Sequence, residues 1–258
     1  MIRLFICGIT GAMGKNVVAQ AKAFPEIEIV GGLGHIESEG ENNQFKISSN
    51  FDSVDLPIDC IIDFSTASII DDLLHFAQYH KIPVVLCTTG LADKTLDHIE
   101  TAKLEIPIFK SGNMSLAINL LMRLVKQAAS VLENDFDVEI IEKHHNRKLD
   151  APSGTAIMLA NAVNEGLQDP KKIELGRSVH GSKDQSIINV HSIRGGNIVG
   201  EHEVLFAGAE ELVTLSHSAL SRSVFAKGAL DAAKFLVGCT PGLYNMDDLV
   251  AQKLNSML

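Results

Sequence analysis

The sequence predicts an α/β protein: a doubly wound, Rossmann-like parallel sheet domain, plus a second α+β domain with an open, largely antiparallel or mixed sheet. Three observations predict it. Short apolar runs alternate with helical patterns up to about residue 115, which implies parallel strands joined by right-handed crossovers. A glycine-rich turn separates the first run from the first helix, at the place where dinucleotide folds bind phosphate. Beyond residue 115 the alternation gives way to strand-like runs joined by turn sequences.

In order, Met1–Cys7 is an apolar run, and Val17, Val18 and Ala21 mark the helix after the glycine turn. Ile27–Leu33, Cys60–Phe64, Val84–Cys87 and Ile106–Lys110 read as strands, with helices over Ile69–Tyr79 and Lys94–Leu104. Leu116–Leu132 carries apolar residues at helical spacing, and Asp137–Glu142 reads as a strand entering a histidine-rich loop. Three strand-like runs follow within Ser186–Ser218, and both Arg194-Gly195-Gly196-Asn197 and Gly208-Ala209-Glu210-Glu211 are expected to be hairpin turns. Val224–Leu236 is a helix whose apolar face holds Phe225, Ala229, Ala232, Ala233 and Leu236. The expected division is residues 1–115 with 223–258 as one domain and 116–222 as the other.

Composition narrows the function. With 46% hydrophobic and 21% charged residues, the chain can bury substantial cores. Lys and Arg number 22 against 32 Asp and Glu, a formal charge of −10, which disfavours nucleic acid and anionic membranes as partners. The cysteines Cys7, Cys60, Cys87 and Cys239 match neither a C-x-x-C pair nor a zinc pattern, and they read as reduced thiols of a cytoplasmic protein. No secretory leader is read at residues 1–7 and no run of eighteen apolar residues occurs, so secretion and membrane spanning are not expected.

Gly8-Ile9-Thr10-Gly11-Ala12-Met13-Gly14 leaves the first strand and opens the first helix, where backbone N–H groups and the helix dipole can hold a pyrophosphate. Tight-turn packing is the plainer explanation of the glycines, but the strand–loop–helix context favours the nucleotide. The acid that usually binds the adenosine ribose at the end of the second strand is absent. That segment reads Gly31-Gly32-Leu33-Gly34-His35, with Glu37 and Glu39 beyond the expected position. His35 can bond a ribose or, protonated, a 2′-phosphate, or it is simply a solvated surface histidine. Thr88-Thr89-Gly90, after Cys87, and Ser111-Gly112-Asn113-Met114 stand at other carboxyl ends of the predicted strands, the edge where such sheets bind ligands.

Glu142–Ala156 concentrates His144, His145, Arg147 and Lys148 against the acidic background of the chain and ends in Pro152-Ser153-Gly154-Thr155. Histidine and lysine bind carboxylates and move protons near neutral pH. The helix opening after this turn offers N–H groups beside the Ser153 and Thr155 hydroxyls, a seat for a carboxylate. A purely structural cap, with Asp150 or Ser153 in that role, is the competing reading. No metal is expected, since no acidic or cysteine ligand stands at zinc spacing, and Ser153 is not in a G-x-S-x-G elbow.

These residues resemble the dihydrodipicolinate reductase family. The resemblance runs from the glycine loop to the C-terminus and is carried by Glu142-Lys143-His144-His145 through Lys148, by Asp150-Ala151-Pro152-Ser153-Gly154-Thr155-Ala156, by Val199-Gly200-Glu201-His202, and by Ser221-Arg222. It implies hydride transfer from NADH or NADPH to 4-hydroxy-tetrahydrodipicolinate with loss of water, in lysine and diaminopimelate synthesis. His144 would donate and accept a proton, Lys148 would donate one, and His145, Gly154 and Thr155, beside Ser153, would hold substrate carboxylates. Gly8 to Met13, Thr88 to Gly90 and Ser111 to Met114 would hold the cofactor. Residues 1–115 and 223–258 become the dinucleotide-binding domain and 116–222 the substrate-binding and oligomerisation domain of a homotetramer. The family commonly has arginine at Ala12, an acid at Gly34 and glycine at Cys87, so dual or modest selectivity between NADH and NADPH is expected. The alternatives are another Rossmann-fold dehydrogenase, which leaves the run from His144 to Thr155 unexplained, and a non-catalytic nucleotide-sensing protein, which intact His144 and Lys148 oppose.

Overall fold

The computed structural model describes residues 1–35, 45–133, 135–178 and 180–256. The chain forms two compact units, Met1–Ser115 with Arg222–Leu258, and Leu116–Ser221. In the first, β1 (Ile2–Cys7), α1 (Ala12–Ala21), β2 (Ile27–Leu33), β3 (Lys46–Ser48), β4 (Cys60–Asp63), α2 (Ile70–His80), β5 (Val84–Leu86), α3 (Asp93–Ala102) and β6 (Pro107–Lys110) follow one another. The second unit is α4 (Leu116–Leu132), β7 (Asp137–His144), α5 (Gly154–Gly166), β8 (Lys172–Leu175), β9 (Ile187–Arg194), β10 (Gly200–Ala207) and β11 (Leu212–Ala219). The chain then returns to the first unit with α6 (Ser223–Leu236), β12 (Gly242–Tyr244) and α7 (Met246–Asn255).

The first sheet has the order β12-β6-β5-β4-β1-β2-β3, and all its pairs are parallel. Leu4, Phe5, Ile6, Ile61, Ile62, Val84, Val85 and Leu86 are fully buried, as expected of strands covered by helices on both faces. Small residues let α6 approach closely. A Cβ on Gly228 would fall 1.7 Å from the Met114 carbonyl oxygen, so the helix seats against the backbone that follows β6.

The second sheet has the order β11-β10-β7-β9-β8 and is mixed: β7 pairs antiparallel with β10 but parallel with β9. The expected hairpin at Gly208–Glu211 joins β10 to β11 and closes with a Gly208 N–H to Glu211 carbonyl bond of 2.9 Å. The expected hairpin at Arg194–Asn197 is not one. Strands β9 and β10 flank β7, so this segment passes over the end of β7, with Gly195 N–H donating to the His144 carbonyl at 2.9 Å. The reason is local, since β9 runs parallel to β7 and must cross it before the chain can return antiparallel. The same pairing extends β7 two residues past the predicted end at Glu142, which makes His144 a strand residue. Four short elements, β3, β8, β12 and α7, were not predicted by the sequence patterns. Among the described residues no helix is long and apolar enough to cross a membrane, and no group of three or more His, Cys, Asp or Glu could hold a metal ion.

Candidate active site

Strand alternation builds the site in the second unit. Inward positions of β7 begin apolar, with Val138 and Ile140 in the core formed with α4 and α5. The next two inward positions are Glu142 and His144. Register extends the polar row sideways: Glu142 stands opposite Ser192 on β9 and His202 on β10, and His202 stands opposite His217 on β11.

Glu142 is completely buried, and its carboxylate is held on several sides. Arg194 donates to both oxygens, at 2.8 and 2.6 Å, a charge-assisted fork. The Nδ1 of His144 lies 2.5 Å from Oε2, and the Ser153 N–H donates to Oε1 at 3.1 Å. Burial would raise this carboxyl's pKa, but hydrogen bonds from Arg194, His144 and Ser192 overcome it and hold the value down to about 2. His202 moves the other way for a histidine: burial, with repulsion from His144, lowers it to about 4. Its Nε2 shares a 2.9 Å hydrogen bond with the Ser153 hydroxyl.

That hydroxyl also accepts from Ala156 N–H, so Ser153 is the N-cap of α5. Its hydroxyl and its N–H are both engaged within the protein. Gly154 opens the helix with nothing within 4 Å of where a Cβ would stand. Thr155 and the half-exposed His145 lie on the same stretch of chain. Lys148 pairs with Asp150 at 2.8 Å, which removes Asp150 from the capping role and lowers its pKa. On the other side of His144, a Cβ on Gly200 would come within 3.1 Å of Nε2. Glycine there leaves that nitrogen room.

The first unit gathers its predicted residues along one sheet edge. The loop after β1 holds Gly8, Ile9, Thr10 and Gly11, and α1 starts at Ala12 and Met13. Gly8 has φ +80°, and its missing Cβ would meet the Phe64 carbonyl at 2.5 Å, so the loop lies directly against the end of β4. The N-terminus of α1 has no side-chain cap and no acid in its first turn, which suits an anion. Thr88, Thr89 and Gly90 follow β5, and Ser111, Gly112, Asn113 and Met114 follow β6. Of these, Ile9, Asn113 and Met114 are buried; the Asn113 side chain accepts from Ser115 N–H at 2.8 Å. Glu37 and Glu39 lie outside the described residues.

The description "Dihydrodipicolinate reductase, N-terminus" matches residues 2–114, and "Dihydrodipicolinate reductase, C-terminus" matches residues 117–250. The chain belongs to the dihydrodipicolinate reductase family. Within that family, the 4-hydroxy-tetrahydrodipicolinate reductase of Caldanaerobacter subterraneus subsp. tengcongensis is 51% identical over 97% of this chain and 98% of its own length. That of Clostridium novyi is 41% identical over 98% and 100%. Among solved structures, a dipicolinate-bound dihydrodipicolinate reductase from Paenisporosarcina sp. TG-14 aligns with a TM-score of 0.78 and 26% identity, over 95% of this chain and 97% of that one. A myo-inositol dehydrogenase from Corynebacterium glutamicum, at 16% identity and TM-score 0.59, shares the fold.

Sequence reasoning missed Arg194, Ser192 and the part played by Glu142, because strand register, not spacing, brings residues 52 apart together. It also missed Asp63 at the end of β4, which is fully buried and bonded to the Ser65 N–H and hydroxyl. An acid closing the apolar run Cys60–Ile62 was the available signal.

Proposed function

We infer that this chain catalyses the NADH- or NADPH-dependent reduction of 4-hydroxy-tetrahydrodipicolinate to tetrahydrodipicolinate with loss of water, in lysine and diaminopimelate synthesis. The observation that carries the reading is an imidazole, His144, fixed beside a buried carboxylate and followed within four residues by a lysine, next to an open helix start. A bound nicotinamide supplies the hydride. The residues at Gly8 to Met13, Thr88 to Gly90 and Ser111 to Met114 would hold it, and the uncapped start of α1 fits its diphosphate.

The substrate is a small dicarboxylate. Its carboxylates are read by His145 and by the start of α5 at Gly154 and Thr155, with Ser153 shaping that start. Loss of the 4-hydroxyl with a neighbouring ring proton, as water, gives a conjugated imine; when hydride reaches it, negative charge develops toward the ring nitrogen, and a positioned acid lowers the barrier by supplying a proton. His144 donates that proton and accepts its replacement from solvent, and Lys148, released from Asp150 as a carboxylate approaches, serves as the second donor. Replacing either by alanine is expected to lower kcat about a hundredfold or more. Oxidation of the reduced cofactor, followed by absorbance with freshly made dihydrodipicolinate synthase product, is the assay; variants turning over at the wild-type rate would remove the assignment.

With alanine at position 12 and glycine at position 34, neither a basic nor an acidic side chain selects the adenosine ribose, so both coenzymes serve. A difference in kcat/KM above about tenfold, about 1.4 kcal/mol, would contradict this. The enzyme is a cytoplasmic homotetramer built on the second sheet. Supporting this, α4 and α5 cover one face, while Ile193 and Leu212 on the other are exposed. Leu212→Asp is expected to reduce the mass seen by sedimentation equilibrium.

A further inference from the structure

Arg194 touches both arms of the proposed proton machinery. One guanidinium nitrogen donates to Glu142 Oε2 at 2.8 Å; the other donates to Glu142 Oε1 at 2.6 Å and to the Asp150 carbonyl at 2.7 Å. Glu142 in turn meets His144 Nδ1, and Asp150 meets Lys148 Nζ. We propose that the Arg194–Glu142 pair is the positioning device of the reaction, fixing His144 with its proton on Nδ1 so that Nε2 exchanges the proton, and anchoring the Lys148–Asp150 turn to the same point. This rests on the reading of His144 and Lys148 given above.

The physical case starts from cost. A carboxylate with no exposure is expensive to ionise, and a buried ion pair is on its own weak evidence for stability. Inward positions of β7 elsewhere hold Val138 and Ile140, and an apolar residue at 142 would satisfy packing. The charge is instead retained and fully satisfied by donors. A carboxylate behind an imidazole sets the tautomer and steadies the imidazolium. An ionised carboxylate can only accept, so the imidazole nitrogen facing it must be the donor. Arg194 keeps Glu142 in that state. The titratable and charged groups facing Glu142 are Arg194 from β9, His144 on its own strand and His202 from β10; among these His202 stays neutral near pH 7.

A link between strands alone would need only the Arg194 fork. The test therefore reads the imidazole. In the wild-type protein, nitrogen chemical shifts are expected to show neutral His144 protonated on Nδ1. In Glu142→Gln, the His144 titration is expected to fall by about one pH unit or more, a tenfold change in its proton affinity. The limb of the kcat profile governed by His144 moves with it, kcat falls at least about tenfold, and the Kd for NADH stays within about twofold. Arg194→Lys keeps the charge but cannot span Glu142 and Asp150 together, and is expected to lower kcat without that shift in limb. A neutral His144 protonated on Nε2 in the wild type would overturn the proposal whether or not the variants fold, as would an unmoved titration in folded Glu142→Gln. If His144→Ala instead retains turnover while the wild-type tautomer is on Nδ1, the catalytic reading fails and the geometry alone remains.

Discussion

Thr10 fills the space that a side chain at position 34 would need. A Cβ on Gly34 would lie 2.8 Å from both Oγ1 and Cγ2 of Thr10, whose Oγ1 also accepts from the His35 N–H at 3.3 Å. Installing Asp at 34 alone is therefore expected to lower kcat/KM for both coenzymes, whereas the double change Thr10→Gly with Gly34→Asp raises the NADH to NADPH ratio. Steady-state kinetics on the two variants decide this; a gain in selectivity from Gly34→Asp alone would remove Thr10 from the account. A second residue test concerns Gly200. An alanine there pushes its Cβ to 3.1 Å from His144 Nε2, so the ring must give, and a fall of about tenfold in kcat with little change in KM is expected. At this scale the His144–Lys148 run and the glycine loop stand out in the sequence because each is compact and of unusual composition. Arg194 and His202 could not be placed at the site, since nothing in a linear string gives strand register.

Among the elements, α6 shows how a helix sets a loop it is not connected to. Gly228→Ala places a methyl group against the Met114 carbonyl, and the backbone there cannot rotate away as a side chain would. Unfolding in urea is expected to show a loss of about 1–3 kcal/mol and, on the proposed reading of Ser111–Met114, weaker coenzyme binding. The longer elements followed their hydrophobic period, as in α4, where buried Ile118, Leu121, Val125 and Ala129 repeat at helical spacing. The three-residue strands β3 and β12 are too short to show a period, and pairing with β2 and β6 defines them instead. The Arg194–Asn197 turn carries hairpin-forming residues, yet strand order overrode local turn chemistry.

For the molecule as a whole, buried titratable groups dictate how stability responds to pH. His202 has a folded value near 4, below its ordinary value of about 6.5. Its contribution is thus present above about pH 6.5 and is lost as pH falls toward 4, on the order of 3 kcal/mol in all. Glu142 acts lower: its contribution is present above the ordinary carboxyl value of about 4.3 and is lost as pH falls toward 2. Asp63 runs opposite, because burial raises its pKa, so it costs stability as pH rises through that raised value. Urea midpoints from pH 8 to pH 4 are expected to decline, and His202→Gln should flatten the decline between about 6.5 and 4. A slope unchanged in that variant would count against His202.

The segment that passes over the end of β7 also separates two rates of motion. His144 belongs to the central strand of its sheet, and its carbonyl is held by the Gly195 amide. Hydrogen exchange at Gly195 should therefore require the sheet itself to open. The amide of Lys148 bonds within its own turn, to the His145 carbonyl, and should exchange through local opening. On the proposed reading, one proton carrier would then stand on the slower-exchanging part of the unit and the other on the faster. In that reading Lys148 would follow an entering carboxylate while His144 stays in place.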